Sequence, residues 1–160
     1  MIRRPRPGSR GAKNALSLDR FIDAQNRIWP APLEEIRAGC KTGHWMWFVF
    51  PQLRGLGHSP MAHRYGIEDL TEARAYLEHA VLGPRLEQIC RAMLAHRGSA
   101  AEAILGPVDA MKLRSCATLF EAARGASVFG EILVAFADGR RCRDTLRMIG
   151  RDRSGPTGQA

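Results

Sequence analysis

Residues 41–66 read KTGHWMWFVFPQLRGLGHSPMAHRYG, and the folding of the first half of this stretch decides the class of the chain. His44-Trp45-Met46-Trp47-Phe48-Val49-Phe50 is an aromatic run bounded by Gly43 and Pro51. Both of its alternate faces are apolar, so periodicity alone does not separate a buried strand from a buried helical turn. Nothing else in the sequence reads as a partner strand. An isolated strand would leave its backbone N–H and C=O groups unpaired in the interior. The run is therefore expected to be a short buried helix or an irregular plug, and the chain to be all-α. The second half, Gly55-Leu56-Gly57-His58-Ser59-Pro60, is a glycine turn running into Ser-Pro. Serine at the cap and proline at the first helical position mark a helix start, whose free N–H groups can face an anion. The third glycine and the preceding strand of a dinucleotide fingerprint are missing.

Toward the N-terminus, Ser17 is expected to cap a helix carrying Leu18, Phe21, Ile22, Gln25 and Ile28 on one stripe, closed by Trp29-Pro30. Gln25 on that stripe predicts a buried amide bonded to a loop carbonyl. A short helix follows over 33–37, where adjacent Glu34 and Glu35 point apart and read as a solvated face. Toward the C-terminus, helices are expected over 71–81, from Pro84 to Leu94, and from a capping box at Ser99 to Gly106. Further ones run from Pro107 to Gly125, over 128–136 and over 141–149. The result is a compact single-domain helical bundle of roughly eight helices around a buried aromatic plug. The domain spans 17–149, between a disordered basic arm (1–16) and a disordered tail (150–160).

The run HWMWFVFPQLRGLGHSPMAHRYGI resembles the signature of the mostly bacterial domain-of-unknown-function family 1810, whose members are often labelled "calpastatin". The resemblance extends from Leu18-Asp19-Arg20-Phe21 and Ala24-Gln25 through Ala80 to Leu86. It continues over Asp109-Ala110-Met111-Lys112-Leu113-Arg114-Ser115 and Leu119-Phe120, covering roughly residues 17–149. It implies a compact, mainly helical domain. The family has no established activity, so no catalytic residues carry over.

The net charge of +8 is concentrated at the ends. Arg3, Arg4, Arg6, Arg10 and Lys13 lie in the first sixteen residues, which contain no acid, and the middle of the chain carries only about +2. A nucleic-acid reader should hold its charge on a structured face, so no specific nucleic-acid partner is expected. Cys40, Cys90, Cys116 and Cys142 lie far apart without metal-ligand pairing, and are expected to be buried free thiols in a reducing cytoplasm. No run approaches a membrane span, and the basic start is not followed by the apolar segment of a secretory signal.

No complete catalytic signature is present. His58 and His63 are five apart, and His44 is fourteen before His58; these spacings do not specify a metal, and neither metal nor cofactor is expected. The chain holds only three lysines against twenty-one arginines. Lys112 shares a helix face with Ser115, which permits Ser/Lys nucleophilic chemistry as well as a lysine snorkelling from the core edge. Two readings stay open. In one, Lys41, His44, Trp45, Trp47, Arg54, His58, Ser59, Tyr65, Lys112 and Ser115 form a small-ligand site for a nucleotide or other phosphorylated metabolite, bound or turned over. It places Trp45, Tyr65 and Lys112 at one cleft near the Gly57-His58-Ser59 turn. In the other, the aromatic motif is purely structural and the domain is a helical protein-interaction module.

Overall fold

Apolar positions at helical spacing produce ten helices among the described residues. The chain runs α1 (Arg10–Asn26), α2 (Ala31–Arg37), α3 (Met46–Val49), α4 (Pro60–Arg64) and α5 (Leu70–Glu78). It continues through α6 (Leu82–Leu94), α7 (Ala101–Leu105), α8 (Pro107–Arg124), α9 (Val128–Ala137) and α10 (Arg143–Ser154). This computed structural model describes the backbone of residues 10–125 and 127–154, and the side chains of residues 18–125 and 127–150. The short helices α3 and α4 both come from the 41–66 stretch and account for the count above eight. α1 begins at Arg10, ahead of the expected cap at Ser17. The ends of the expected arm and tail, residues 1–9 and 155–160, lie outside the described residues.

The centre of the fold is α8. Six consecutive residues, Ser115 to Phe120, are buried, so this helix meets neighbours on every side. Ser115, Cys116, Ala117 and Thr118 are small enough to let those neighbours approach, and α5, α7, α9 and α10 all pack against it. A chain of aromatic contacts threads the helices together. Phe48 meets Tyr65 at 5.2 Å between ring centroids, and Tyr65 meets Phe21 at 6.1 Å. Phe21 sits edge-on to Tyr76 at 5.1 Å, and Tyr76 continues to Phe120 and Phe129. Pairs of this kind contribute about 0.5–1.5 kcal/mol each beyond their burial. The aromatic signature is therefore one end of the core.

Two polar networks hold α1 in place. The Gln25 amide donates to the Phe48 carbonyl at 2.7 Å and to the Tyr76 hydroxyl at 3.0 Å, while its own oxygen accepts from Arg85. The expected loop-carbonyl partner of Gln25 is thus the backbone of the aromatic run itself. Burial pushes the Tyr76 phenol well above its ordinary range, which the Gln25 hydrogen bond only partly offsets. The second network joins Arg20 to Glu72 at 2.9 Å, with Arg20 also donating to the carbonyls of Arg64 and Gly66. Glu72 is 3% exposed, so this pair is an internal clamp between α1, α5 and the end of α4.

After Pro51 the chain makes a bridge-type pairing, Leu53 with Ile67, with Ile67 N–H donating to Gln52 and Arg54 N–H to Ile67. Gly66 permits this approach, because a Cβ there would lie 2.6 Å from Arg54. At the α5–α6 corner a Cβ on Gly83 would lie 2.1 Å from the Leu77 carbonyl oxygen, so the two helices meet backbone to backbone.

Candidate functional site

The 41–66 stretch is anchored at its start by a carboxylate the sequence reading assigned to solvent. Glu35 Oε1 accepts from Thr42 N at 2.7 Å, Gly43 N at 2.8 Å and the Trp45 indole N at 3.0 Å. The solvated-face reading of Glu35 is corrected: α2 ends four residues before Lys41, and the chain folds back over its last turn. Partial burial works to raise the Glu35 pKa, but the Gly43, Thr42 and Trp45 hydrogen bonds outweigh it and hold the carboxyl below its ordinary value. Trp45 is 3% exposed and packs on Phe50, so it is a wall of the core.

Next to this clamp lies a cluster of charge. Asp109 occupies the first turn of α8, where the helix dipole favours a carboxylate. Its Oδ2 meets Lys41 Nζ at 2.8 Å and its Oδ1 meets Lys112 Nζ at 3.5 Å. Lys41 is nearly buried, donates to the Gly43 carbonyl at 2.6 Å, and sits 5.0 Å from the Trp45 ring centroid. Its backbone N–H bonds to Ile104, tying the signature to α7. Lys112 lies over the Trp47 ring at 4.8 Å. Each ammonium thus has one indole and a share of one carboxylate.

Trp47 is half-buried and links this cluster to the glycine turn. With Tyr65, Gly57, Leu53 and Gly66 it lines a crevice of about 10 Å³, room for roughly one water. Trp47, Tyr65, Gly57 and, through the Trp47 ring, Lys112 are therefore neighbours, while Trp45 faces Glu35 and Lys41 instead. The remaining candidate residues do not join them. Ser59 caps α4 by accepting from Ala62 N at 3.1 Å, and Arg54 donates to the His63 carbonyl at 3.0 Å. His44 and His58 are exposed. Ser115 bonds its own helix at Met111 O, 3.2 Å, and lies 3.4 Å from Cys142 Sγ, so its proton is not directed at Lys112. Among the described residues no group of three His, Cys, Asp or Glu side chains could hold a metal ion, and no helix is long and apolar enough to cross a membrane.

The thiols correct one expectation. All four cysteines are free, and Cys90 and Cys116 are buried, but Cys40 is exposed and Cys142 is half-buried. Cys40 follows α2 on the outward side of the turn at Gly39, and Cys142 opens α10, so neither lies on an apolar stripe. Wider concavities lie elsewhere among the described residues. A groove of about 740 Å³ runs along α9 between Val134, Gly130 and the Arg141–Glu121 pair. Another, of about 400 Å³, lies between Met111, Arg114 and Phe136.

The family described as "Protein of unknown function (DUF1810)" matches residues 15–149. The chain belongs to this family. A crystal structure of the conserved hypothetical protein Rv1873 from Mycobacterium tuberculosis, at 1.38 Å, is 47% identical to this DUF1810 chain, with a TM-score of 0.82. The match covers 84% of this chain and 96% of that one. No curated protein matches it. The helical fold and the family are thus those the aromatic signature implied, and the coarse functional statement they support is a domain of unknown function.

Proposed function

We propose that this DUF1810 domain binds a small anionic ligand, of the nucleotide or phosphorylated-metabolite class, at the corner where Trp47 meets Lys112. The observation that carries this reading is that two ammonium groups share the Asp109 carboxylate. Lys41 takes the short contact at 2.8 Å and has the Gly43 carbonyl besides; Lys112 has the long one at 3.5 Å and 22% side-chain exposure. Glu35 lies beyond the Gly43 peptide and is engaged by N–H groups, so Lys112 is the under-compensated cation. A half-buried ammonium with donors to spare favours an anion, and the accessible part of Trp47 offers apolar surface to the body of the ligand. The ligand lies against this corner, since the crevice beside Trp47 is too small to contain it. No reaction is assigned, because Ser115 bonds its own helix.

Titration of the purified domain with inorganic phosphate, AMP and ATP, followed by calorimetry and tryptophan fluorescence, tests the reading. AMP or ATP should bind more tightly than phosphate. Lys112→Met keeps the aliphatic stem over Trp47 and should weaken binding by about 1.5–3 kcal/mol, the range for a charge-assisted hydrogen bond. Equal binding by wild type and Lys112→Met removes Lys112 from the site, and no binding by any of the three anions overturns the proposal. The interaction-module reading draws on a different observation: the 740 Å³ groove along α9, in which Val134 is 72% exposed. If that groove is the working surface, Val134→Asp abolishes partner binding and leaves nucleotide titrations unchanged.

A further inference from the structure

Cys142 stands apart from the other three thiols in its surroundings. It is the cap residue of α10, a helix of 12 residues, and its carbonyl accepts the Leu146 N–H at 3.1 Å. Its own N–H donates to Thr118 Oγ1 at 2.9 Å, so α8 holds the backbone at the start of α10. Ser115 Oγ lies 3.4 Å from the sulfur. The Ser115 hydroxyl has one proton and two acceptors within reach, Met111 O and Cys142 Sγ, so it can turn to the sulfur when the sulfur carries charge.

A second observation points to an added atom at this place. Thr145, in the first turn of α10, is 0% exposed, and its hydroxyl is a buried side-chain oxygen with no hydrogen-bond partner of good geometry among the described residues. A buried hydroxyl without a partner costs about 1–3 kcal/mol. Its dipole nonetheless lies close enough to the sulfur to act on the thiol. An oxygen carried on Sγ would give it an acceptor.

We propose that Cys142 is a modification site for hydroperoxides, whose product, a sulfenic acid, is held by Ser115, Thr145 and the first amides of α10. In the step, the thiolate sulfur attacks one peroxide oxygen of ROOH; an S–O bond forms and the O–O bond breaks. The sulfur is oxidised by two electrons, the peroxide is reduced, and RO⁻ leaves and takes a proton from water. The electrostatics agree. Partial burial works to raise the Cys142 pKa, but the dipoles of the Ser115 and Thr145 hydroxyls and of the Thr145 and Asp144 N–H groups outweigh it, and the thiol lies below its ordinary value. Burial instead pushes Cys90 and Cys116 up and keeps them as inert thiols. Arg140, Arg141 and Arg143 flank Cys142 in sequence, and Arg114 of α8 binds the carbonyls of Arg140 and Arg141. The nearby acids are neutralised, Glu121 by Arg141 and Asp144 by Arg147.

The test uses the full chain, fully reduced, with its exposed Cys40 as internal comparator. Hydrogen peroxide near stoichiometric amounts is added with dimedone, and the labelled peptides are mapped by mass spectrometry. Cys142 should carry at least about fivefold more label than Cys40, and its alkylation rate by iodoacetamide should have a pH midpoint below 9.0. Thr145→Val should raise that midpoint and lower the sulfenic-acid yield. Equal or greater labelling of Cys40, or a Cys142 midpoint at or above 9.0 in the wild type, overturns the proposal whatever the variant does.

Discussion

Replacing Glu35 tests whether one carboxylate organises the start of the signature. Its Oε1 receives three N–H groups, two from the backbone and one from Trp45. In Glu35→Ala, water can replace the acceptor for Thr42, which is exposed, but not for the Trp45 indole, which is buried with its ring. An orphaned buried donor costs about 1–3 kcal/mol, and the lost bonds to Gly43 and Thr42 add about 1 kcal/mol net in this half-exposed setting. The expected loss is about 2–4 kcal/mol, or about 5–12 °C in Tm for a domain of this size. Glu35→Gln keeps an acceptor oxygen without the charge and should lose about 1–1.5 kcal/mol at pH 7. The pH dependence has a definite sign. The folded-state pKa lies below the ordinary 4.5, so the carboxylate's contribution is present above pH 4.5 and is lost as pH falls through the folded value. The gap between wild type and Glu35→Gln, measured by urea unfolding from pH 7 to pH 3, should therefore narrow at the acid end. An unchanged stability of Glu35→Gln at pH 7, or a gap that does not narrow, would refute the clamp.

Two further substitutions probe the frame around the site. Arg20→Met removes the 2.9 Å ion pair to Glu72, a carboxylate 3% exposed, and should cost about 1.5–3 kcal/mol by denaturant unfolding; a loss under about 1 kcal/mol would show the pair to be incidental. Gly83→Ala drives a Cβ onto the Leu77 carbonyl oxygen at 2.1 Å and should lower stability by about 1–3 kcal/mol or more by forcing α5 and α6 apart, whereas an unchanged Tm would mean the corner yields freely.

Most of the helices were legible, because apolar spacing and capping residues are local signals. Ser59 accepting from Ala62, Pro60 at the first position of α4 and Pro107 at the first position of α8 all act within a few residues of themselves. The aromatic run was legible as core for lack of any strand to pair with it. The candidate site was legible only in part. Lys112 and Trp47 stood out by residue type, but the groups that define their chemistry did not. Asp109 sits one turn before Lys112, and its spacing alone could have paired those two. Its shorter contact, to Lys41, joins distant parts of the chain, and no local pattern encodes that. Glu35 read as solvent-facing because its helix face is exposed until the following loop folds over it.

By itself, the sequence determined the helical class, the family and the aromatic end of the core, since hydrophobic periodicity and side-chain volume are properties of neighbours along the chain. The tertiary structure decided which tryptophan is wall and which is accessible, which lysine is fully paired, and which thiol meets a helix start. Those outcomes depend on the distances between charges, donors and surfaces carried by different helices. Such distances exist only once α2, α7, α8 and α10 are packed against one another.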